Sequence, residues 1–402
     1  MRCCVKCLVI NLKNNISALG KDCCGCNACQ QLCPKNCIKF EYDNEGFHYP
    51  VVDESVCVSC GICVKHCPIL SEVESAKNPE VYAVKYKDRE TAFKSTSGGV
   101  FVALAKKIIG KGGVVFGCAY DENLVARHIC VDRTEDICKL QSSKYVQSDM
   151  QGVYTQVKKA LQSDKFVLFS GTGCQTAGLK TFLGKDYKKL FTTDIICHGV
   201  PSPKLFEKYV EYLGKKMGGS LNEYNFRSKE KRGWDLYFKA SNNRKSKSDY
   251  GFFDPYYNAF LTCKTYRESC YNCRFANSER VGDITLGDYW GIQKFHPEFY
   301  DENGVSLVLL NTEKGRNLFA EISDEVEALK SSLEKAVVMN KNLSAPSQRP
   351  SCRDSIYDGY DGDFSVYVKT KLAFKVSIKT RIKKMIPLSV KKALRKAEHL
   401  GS

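Results

Sequence analysis

Eight cysteines between residues 23 and 67 are spaced for iron. Cys23, Cys26, Cys29 and Cys33 read C-x2-C-x2-C-x3-C and are closed by Pro34; Cys57, Cys60, Cys63 and Cys67 repeat the pattern and are closed by Pro68. Each cysteine of the second run lies 34 residues after its twin, so the segment is an internal repeat. Tight C-x2-C turns gather thiolates on one small concave surface, where backbone amides can hydrogen-bond cluster sulfides. In two-cluster ferredoxins the fourth cysteine of each run ligates the other cluster. By that rule Cys23, Cys26, Cys29 and Cys67 hold one 4Fe-4S cluster, and Cys57, Cys60, Cys63 and Cys33 hold a second. Zinc sites pair two C-x2-C halves and need neither a third cysteine at this spacing nor the proline. Disulfides would need an oxidising compartment, and the opening MRCCVKCLVINLKNN has no long apolar run or small-residue cleavage site. Cys3, Cys4, Cys7, Cys24 and Cys37 fall outside the pattern and are expected to be packing thiols or spare residues. The radical-initiating spacing C-x3-C-x2-C occurs nowhere in the chain.

The whole chain has 402 residues and 22 cysteines. That length suggests two or three domains. The cysteine count without a secretory signal points to a reducing cytoplasm and metal chemistry. No apolar stretch reaches the ~18 residues of a membrane span. The formal net charge is +16, and the stretch from Phe374 to Ser402 holds nine Lys or Arg against one Glu, half of the total. No nucleic-acid partner is expected.

These motifs need elements to hold them. Residues 1–19 read as an N-terminal extension, and 20–70 as an α+β ferredoxin-like dicluster domain too loop-rich to hold together without its clusters. Residues 71–80 (SEVESAKNPE) read as a polar linker. From 81 to 340, strand patterns such as VYAVKY, VVFGCAY, KFVLFS and KLFTTDIIC alternate with helix patterns such as SGGVFVALAKKIIGKGG and PKLFEKYVEYLGKKM. The expectation is an α/β flavin-binding domain with a mostly parallel sheet and a strand-rich second half after 221. Residues 341–373 are turn-rich and expected to wrap the surface.

FVLFSGTGCQTAGLK combines a buried strand, a glycine-containing turn and a helix start. The amides of such a helix N-terminus suit a phosphate group; a purely structural turn is the alternative. KSTSGGVF offers a second turn of small residues before a helix. The order of motifs is more specific: STSGGVF, GTGCQTAGL, DIICHGVPSPKLFEKY, FRSKEKRGW and SCYNCRFANSERVGDITLGDYWGI. This closely resembles the coenzyme-deazaflavin (F420-type) hydrogenase/dehydrogenase beta-subunit family in its form fused to a dicluster ferredoxin, with Gly173 where the family turn usually carries proline. Related proteins include 7-hydroxymethyl chlorophyll a reductases.

The resemblance implies an iron–sulfur flavoprotein, with FAD held at the turns of Ser97, Gly98 and Gly99 and of Gly171, Thr172, Gly173 and Gln175. A flavin suits the task because it exchanges electrons singly or in pairs. Cys174 and Cys197 fall at strand C-termini, where α/β sites converge, and Cys263, Cys270 and Cys273 follow in TCKTYRESCYNC. The three downstream cysteines with Cys197 or Cys174 suit a third 4Fe-4S cluster; a zinc clip, core thiols or a redox-active Cys174 near the flavin are the alternatives. His198 is a candidate for proton transfer, since imidazole titrates near neutrality, or a turn cap. Asp283 and Asp288 orient the flavin or cap turns, and Arg280 and Lys144 meet an anionic group or solvent. Cys118, Cys130, Cys138 and Cys352 read as core thiols.

The expected activity is oxidoreduction. Electrons enter from a ferredoxin or similar donor, pass through both clusters to FAD, and reach an unidentified small organic substrate. A non-catalytic subunit handing electrons to a partner enzyme is the alternative. In the tail, Ile378, Ile382 and Met385 or Ile386, then Val390, Leu394 and Ala397 beyond Pro387, form an apolar stripe opposite Lys and Arg. Such a helix could attach peripherally to the inner face of an anionic membrane.

Overall fold

The computed structural model describes residues 14–386. Cys3, Cys4 and Cys7, and the tail positions Pro387, Val390, Leu394 and Ala397, lie outside the described residues.

The cysteine repeat is also a repeat of backbone. Gly25 and Asn27 have φ of 70° and 69°, and their counterparts 34 residues on, Ser59 and Gly61, have 51° and 72°. These left-handed residues fold the chain back between successive cysteines. They lead into the short helices Ala28–Leu32 and Ile62–Lys65, which carry Cys29 and Cys63. Strands β1 (Ile38–Tyr42) and β2 (His48–Val52) form an antiparallel pair between the two runs. The core of this unit is Ile16, Ile38 and the thiols of Cys29, Cys37, Cys63 and Cys67. Leu19, Phe40, Val52, Val64, Ile69 and Leu70 pack against it.

From residue 80 onward one eight-stranded sheet organises the chain. Its strands are β3 (Glu80–Tyr86), β4 (Val114–Tyr120), β5 (Ala126–Val131), β6 (Val167–Thr172), β7 (Leu190–Ile195), β11 (Ile284–Asp288), β12 (Ser306–Leu310) and β13 (Val326–Lys330), in the order β13-β3-β12-β11-β7-β6-β4-β5. Strands β8 (Glu223–Asn225), β9 (Tyr237–Ser241) and β10 (Ser246–Tyr250) form a separate antiparallel sheet in the strand-rich second half. The expectation of a mostly parallel sheet is corrected: β4, β6, β7 and β11 run parallel, but β12, β3 and β13 on one side and β5 on the other join antiparallel. Parallel neighbours need long crossovers. The helices Val153–Gln162 and Gly173–Leu183 supply them on either side of β6, whereas β4 returns to β5 through the tight turn at Asp121–Val125.

Residues 341–373 do more than wrap the surface. Ile356, Tyr357, Tyr360, Tyr367 and Leu372 enter an aromatic core with Phe47, Phe206, Tyr256 and Tyr257. The buried Arg353 pairs with Glu45 of the ferredoxin unit, 2.6 Å away. The helix Ile378–Met385 closes the described chain and leaves Ile378 and Ile382 exposed. No described helix is long and apolar enough to cross a membrane.

Candidate functional site

Two groups of thiols form within the ferredoxin unit, and each draws on both cysteine runs. Burial, then the charges of Cys23, Cys67 and Cys63, push Cys29 well above the usual thiol range. Burial raises Cys67 to about 11, with Cys23 and Cys63 adding to it. Cys26 takes a hydrogen bond with Cys24 that favours its thiolate, but burial, Cys67 and Cys29 raise it. Thiols that oppose each other's ionisation in one buried place are a donor set suited to a polynuclear cationic core. The other hollow is lined by Cys33, Cys57, Cys60 and Cys63. Cys37 joins it as a fifth thiol, its Sγ 3.4 Å from that of Cys33.

The two groups face different ways. Cys60 and Val58 are exposed at the outer one. The inner one packs on the second domain: a Cβ on Gly178 would stand 3.1 Å from Cys26 Sγ.

Beyond Cys26 lies a cavity of about 1420 Å³ at the C-terminal ends of β4, β6, β7 and β11. Small-molecule pockets usually measure roughly 300–1,000 Å³, so this one has room for a large cofactor and more. Ser97, Gly99, Gly171, Thr172, Gly173, Cys174, Gln175, Cys197, His198, Cys263, Cys270 and Cys273 all line it. Cys270 is pushed well up by burial and then by Cys197, Cys273 and Cys174. Burial, then Cys174 and Cys273, push Cys197 up to about 12. Cys174, Cys197, Cys270 and Cys273 share the cavity wall, although among the described residues no group of three or more His, Cys, Asp or Glu is placed to hold a single metal ion; the Cys263 thiol lies by Tyr266. Cys24, spare by its spacing in the sequence, also lines the cavity, and Cys174 is pushed well up by Cys24 and by burial.

The glycine turns divide by role. Gly98 is buried where a Cβ would stand 2.4 Å from Val84 O and 2.8 Å from Ser306 N, so packing against β3 and β12 requires glycine there. Gly99 does line the cavity. The Gln175 side-chain oxygen accepts from Thr172 N at 2.9 Å, closing the capping box that starts the helix Gly173–Leu183. Its amide nitrogen donates to Ser148 Oγ at 2.9 Å.

That bond begins a chain the sequence reading missed. Ser148 Oγ lies 3.0 Å from His128 Nδ1, and His128 Nε2 lies 3.0 Å from Ser170 O. Since a carbonyl only accepts, Nε2 carries the proton and Nδ1 accepts from Ser148. Burial holds His128 neutral, down to about 4.

At another wall Asp288 accepts from Arg227 Nη1 at 2.7 Å and from Trp234 Nε1 at 2.6 Å. Arg227 stacks on Trp290, 5.1 Å from its centroid. His198 is held below its ordinary pKa by the enclosing walls, opposed by Asp288. Asp283 is structural: it accepts from Thr192 N at 2.8 Å and Thr312 Oγ1 at 2.7 Å. Arg280 pairs with buried Asp194 at 3.2 Å, and Lys144 Nζ donates to the carbonyls of Lys139, Gln141 and Ser142.

Residues 22–69 match the model of the 4Fe-4S dicluster domain, and residues 164–335 match that of the C terminus of the coenzyme F420 hydrogenase/dehydrogenase, beta subunit. This is the fusion expected from the motifs. The ferredoxin-type protein NapF of Haemophilus influenzae is 41 % identical over 44 residues, 11 % of this chain and 25 % of that protein, so the chain spans a quarter of this relative. A chain of the F420-reducing NiFe hydrogenase complex of Methanosarcina barkeri aligns with 18 % identity and a TM-score of 0.47, over 67 % of this chain and 90 % of that one.

Proposed function

We propose that this chain, a 4Fe-4S dicluster domain joined to a domain of the coenzyme F420 hydrogenase/dehydrogenase beta-subunit type, is an iron–sulfur flavoprotein oxidoreductase. Electrons enter from a ferredoxin-type donor at the exposed Cys60 side and pass the outer and then the inner thiol group. From there they reach the cavity, where an organic substrate is reduced. The observation that carries this reading is that Cys24, which lies between Cys23 and Cys26 in the first run, lines the same cavity as Cys174, Cys197, Cys270 and Cys273. It joins the inner thiol group, through Cys23 and Cys26 on either side of Cys24, to the cavity cysteines.

Cys174, Cys197, Cys270 and Cys273 would hold a third cluster. FAD would lie along Ser97, Gly99 and Gly171–Gly173, with the hydroxyls of Thr96, Ser142 and Ser143 on the same wall. The flavin would convert single electrons to pairs. His198 opens onto the cavity and would move the proton that accompanies reduction. The cavity volume favours a substrate pocket over an electron-transfer subunit whose flavin edge is covered by a partner.

The test uses the full chain purified anaerobically and mixed with reduced ferredoxin. Flavin absorbance should bleach after the clusters. Cys270→Ser should keep the ferredoxin-unit clusters and lose flavin reduction. Flavin bleaching at the wild-type rate in that variant, or a chain without flavin, would overturn the reading.

Peripheral attachment to an anionic membrane through residues 374–402 is a separate proposal. The basic composition of that stretch and the exposed Ile378 and Ile382 support it. Sedimentation with anionic vesicles should depend on the tail and fall with salt; equal binding after truncation at 373 would remove it.

A further inference from the structure

Arg267 is fully buried between the ferredoxin unit and the second domain. Its Nε donates to Cys23 O at 2.6 Å, its Nη1 to Gln147 Oε1 at 3.1 Å and its Nη2 to His48 O at 2.9 Å. The guanidinium lies over the Tyr49 ring, 3.9 Å from the centroid. Every one of these acceptors is neutral. The other buried arginines differ: Arg227 pairs with Asp288, Arg280 with Asp194 and Arg353 with Glu45. Among the described residues no carboxylate pairs with Arg267.

A guanidinium taken out of water without a counter-charge is costly. The anionic group that the surroundings offer is the thiolate set whose first member, Cys23, has its own carbonyl on Arg267 Nε. Gly25 confirms how close the first cysteine loop comes: a Cβ there would stand 2.4 Å from Gln147 Nε2 and 3.2 Å from Arg267 Nη1.

We propose that Arg267 is the fixed counter-charge of the cluster held by Cys23, Cys26, Cys29 and Cys67, and that it raises that cluster's reduction potential. The inference rests on the cluster assignment made above. A 4Fe-4S core with four thiolates is doubly negative when oxidised and triply negative when reduced. Reduction adds one electron and no proton, so a cation fixed beside the loop stabilises the reduced form more than the oxidised one. Net charge and hydrogen bonding around a cluster set its potential. The outer group, which includes the exposed Cys60, has no Arg267 on its loops. The residue therefore favours electron transfer from the outer to the inner group. It is a positioning residue for charge, not a ligand.

The test is a reductive titration of the full-length chain, purified anaerobically and followed by electron paramagnetic resonance. Cys29→Ala and Cys60→Ala assign the inner and outer signals. Arg267→Gln removes the charge, and Gln147→Glu leaves Arg267 in place but sets a carboxylate against it. In both, the inner midpoint should move to more negative potential while the outer one stays; Arg267→Lys should recover most of the shift. Should Arg267→Gln lose the inner cluster, a shift in Gln147→Glu still supports the inference. An inner midpoint unchanged in Gln147→Glu, with both signals intact, would overturn it. A wild-type chain lacking two 4Fe-4S signals would instead overturn the cluster assignment beneath it.

Discussion

Cys26 and Gly178 touch across the boundary between the ferredoxin unit and the second domain, with 3.1 Å between Cys26 Sγ and the place a Cβ on Gly178 would take. Glycine is needed here for proximity. Gly178→Leu should overpack this contact, at a cost of about 1–3 kcal/mol. Iron bound by Cys23, Cys26, Cys29 and Cys67 should be lost before that bound by the outer group. Iron counting and melting temperature check both effects; full iron and an unchanged melting temperature would show that the contact has slack.

Cys29 and Cys67 belong to different runs, yet the charge of Cys67 helps to raise the pKa of Cys29, and that of Cys23 helps to raise the pKa of Cys67. Cys29→Ala and Cys67→Ala should therefore remove the same cluster. The double variant should lose no more iron than either single one, because metal binding and local folding are one equilibrium. Additive loss would mean that the fourth cysteine stays with its own run.

Gly98→Ala should lower stability by about 1–3 kcal/mol through overpacking against Val84 O and Ser306 N. Flavin bound per folded chain should stay the same, since the clash lies between strands. Flavin loss with an unchanged melting temperature would place Gly98 against the cofactor instead.

His128 gives a pH signature. Its folded pKa lies at about 4, below the usual value of 6.5, because burial disfavours the charged ring. Between these values the unfolded chain binds more protons, so stability rises with pH and is lost as pH falls. From pH 7 to 5 the loss should reach about 2 kcal/mol. His128→Gln should flatten that slope in anaerobic unfolding experiments. An equally steep slope in the variant would assign it to other groups.

How much of this was legible varies with the reach of the interaction. The 4Fe-4S dicluster domain was readable because each cysteine run is local, and a fixed spacing with a following proline leaves few chemistries. That Cys174 and Cys197 line one cavity was readable because a cysteine at a strand C-terminus in an α/β pattern points to where pockets form. The His128–Ser148–Gln175 chain was not, because only the pairing of β4 with β5 and β6 brings those residues together. Strand direction failed for the same reason: alternating apolar residues mark a strand but not which neighbour it takes. The packing of Gly98 against β3 and β12 was not legible, because a small-residue turn before a helix looks the same whether a phosphate or a strand lies against it. Arg267 left one trace, a lone arginine between Cys263 and Cys270, but its partner at residue 23 is set by the docking of two domains.

The most direct measurement is the count of iron, acid-labile sulfide and flavin in the anaerobically purified chain. The account predicts about twelve iron atoms with matching sulfide, from two ferredoxin clusters and one in the cavity, together with about one FAD per chain. Zinc in place of iron, without labile sulfide and without flavin, would contradict it.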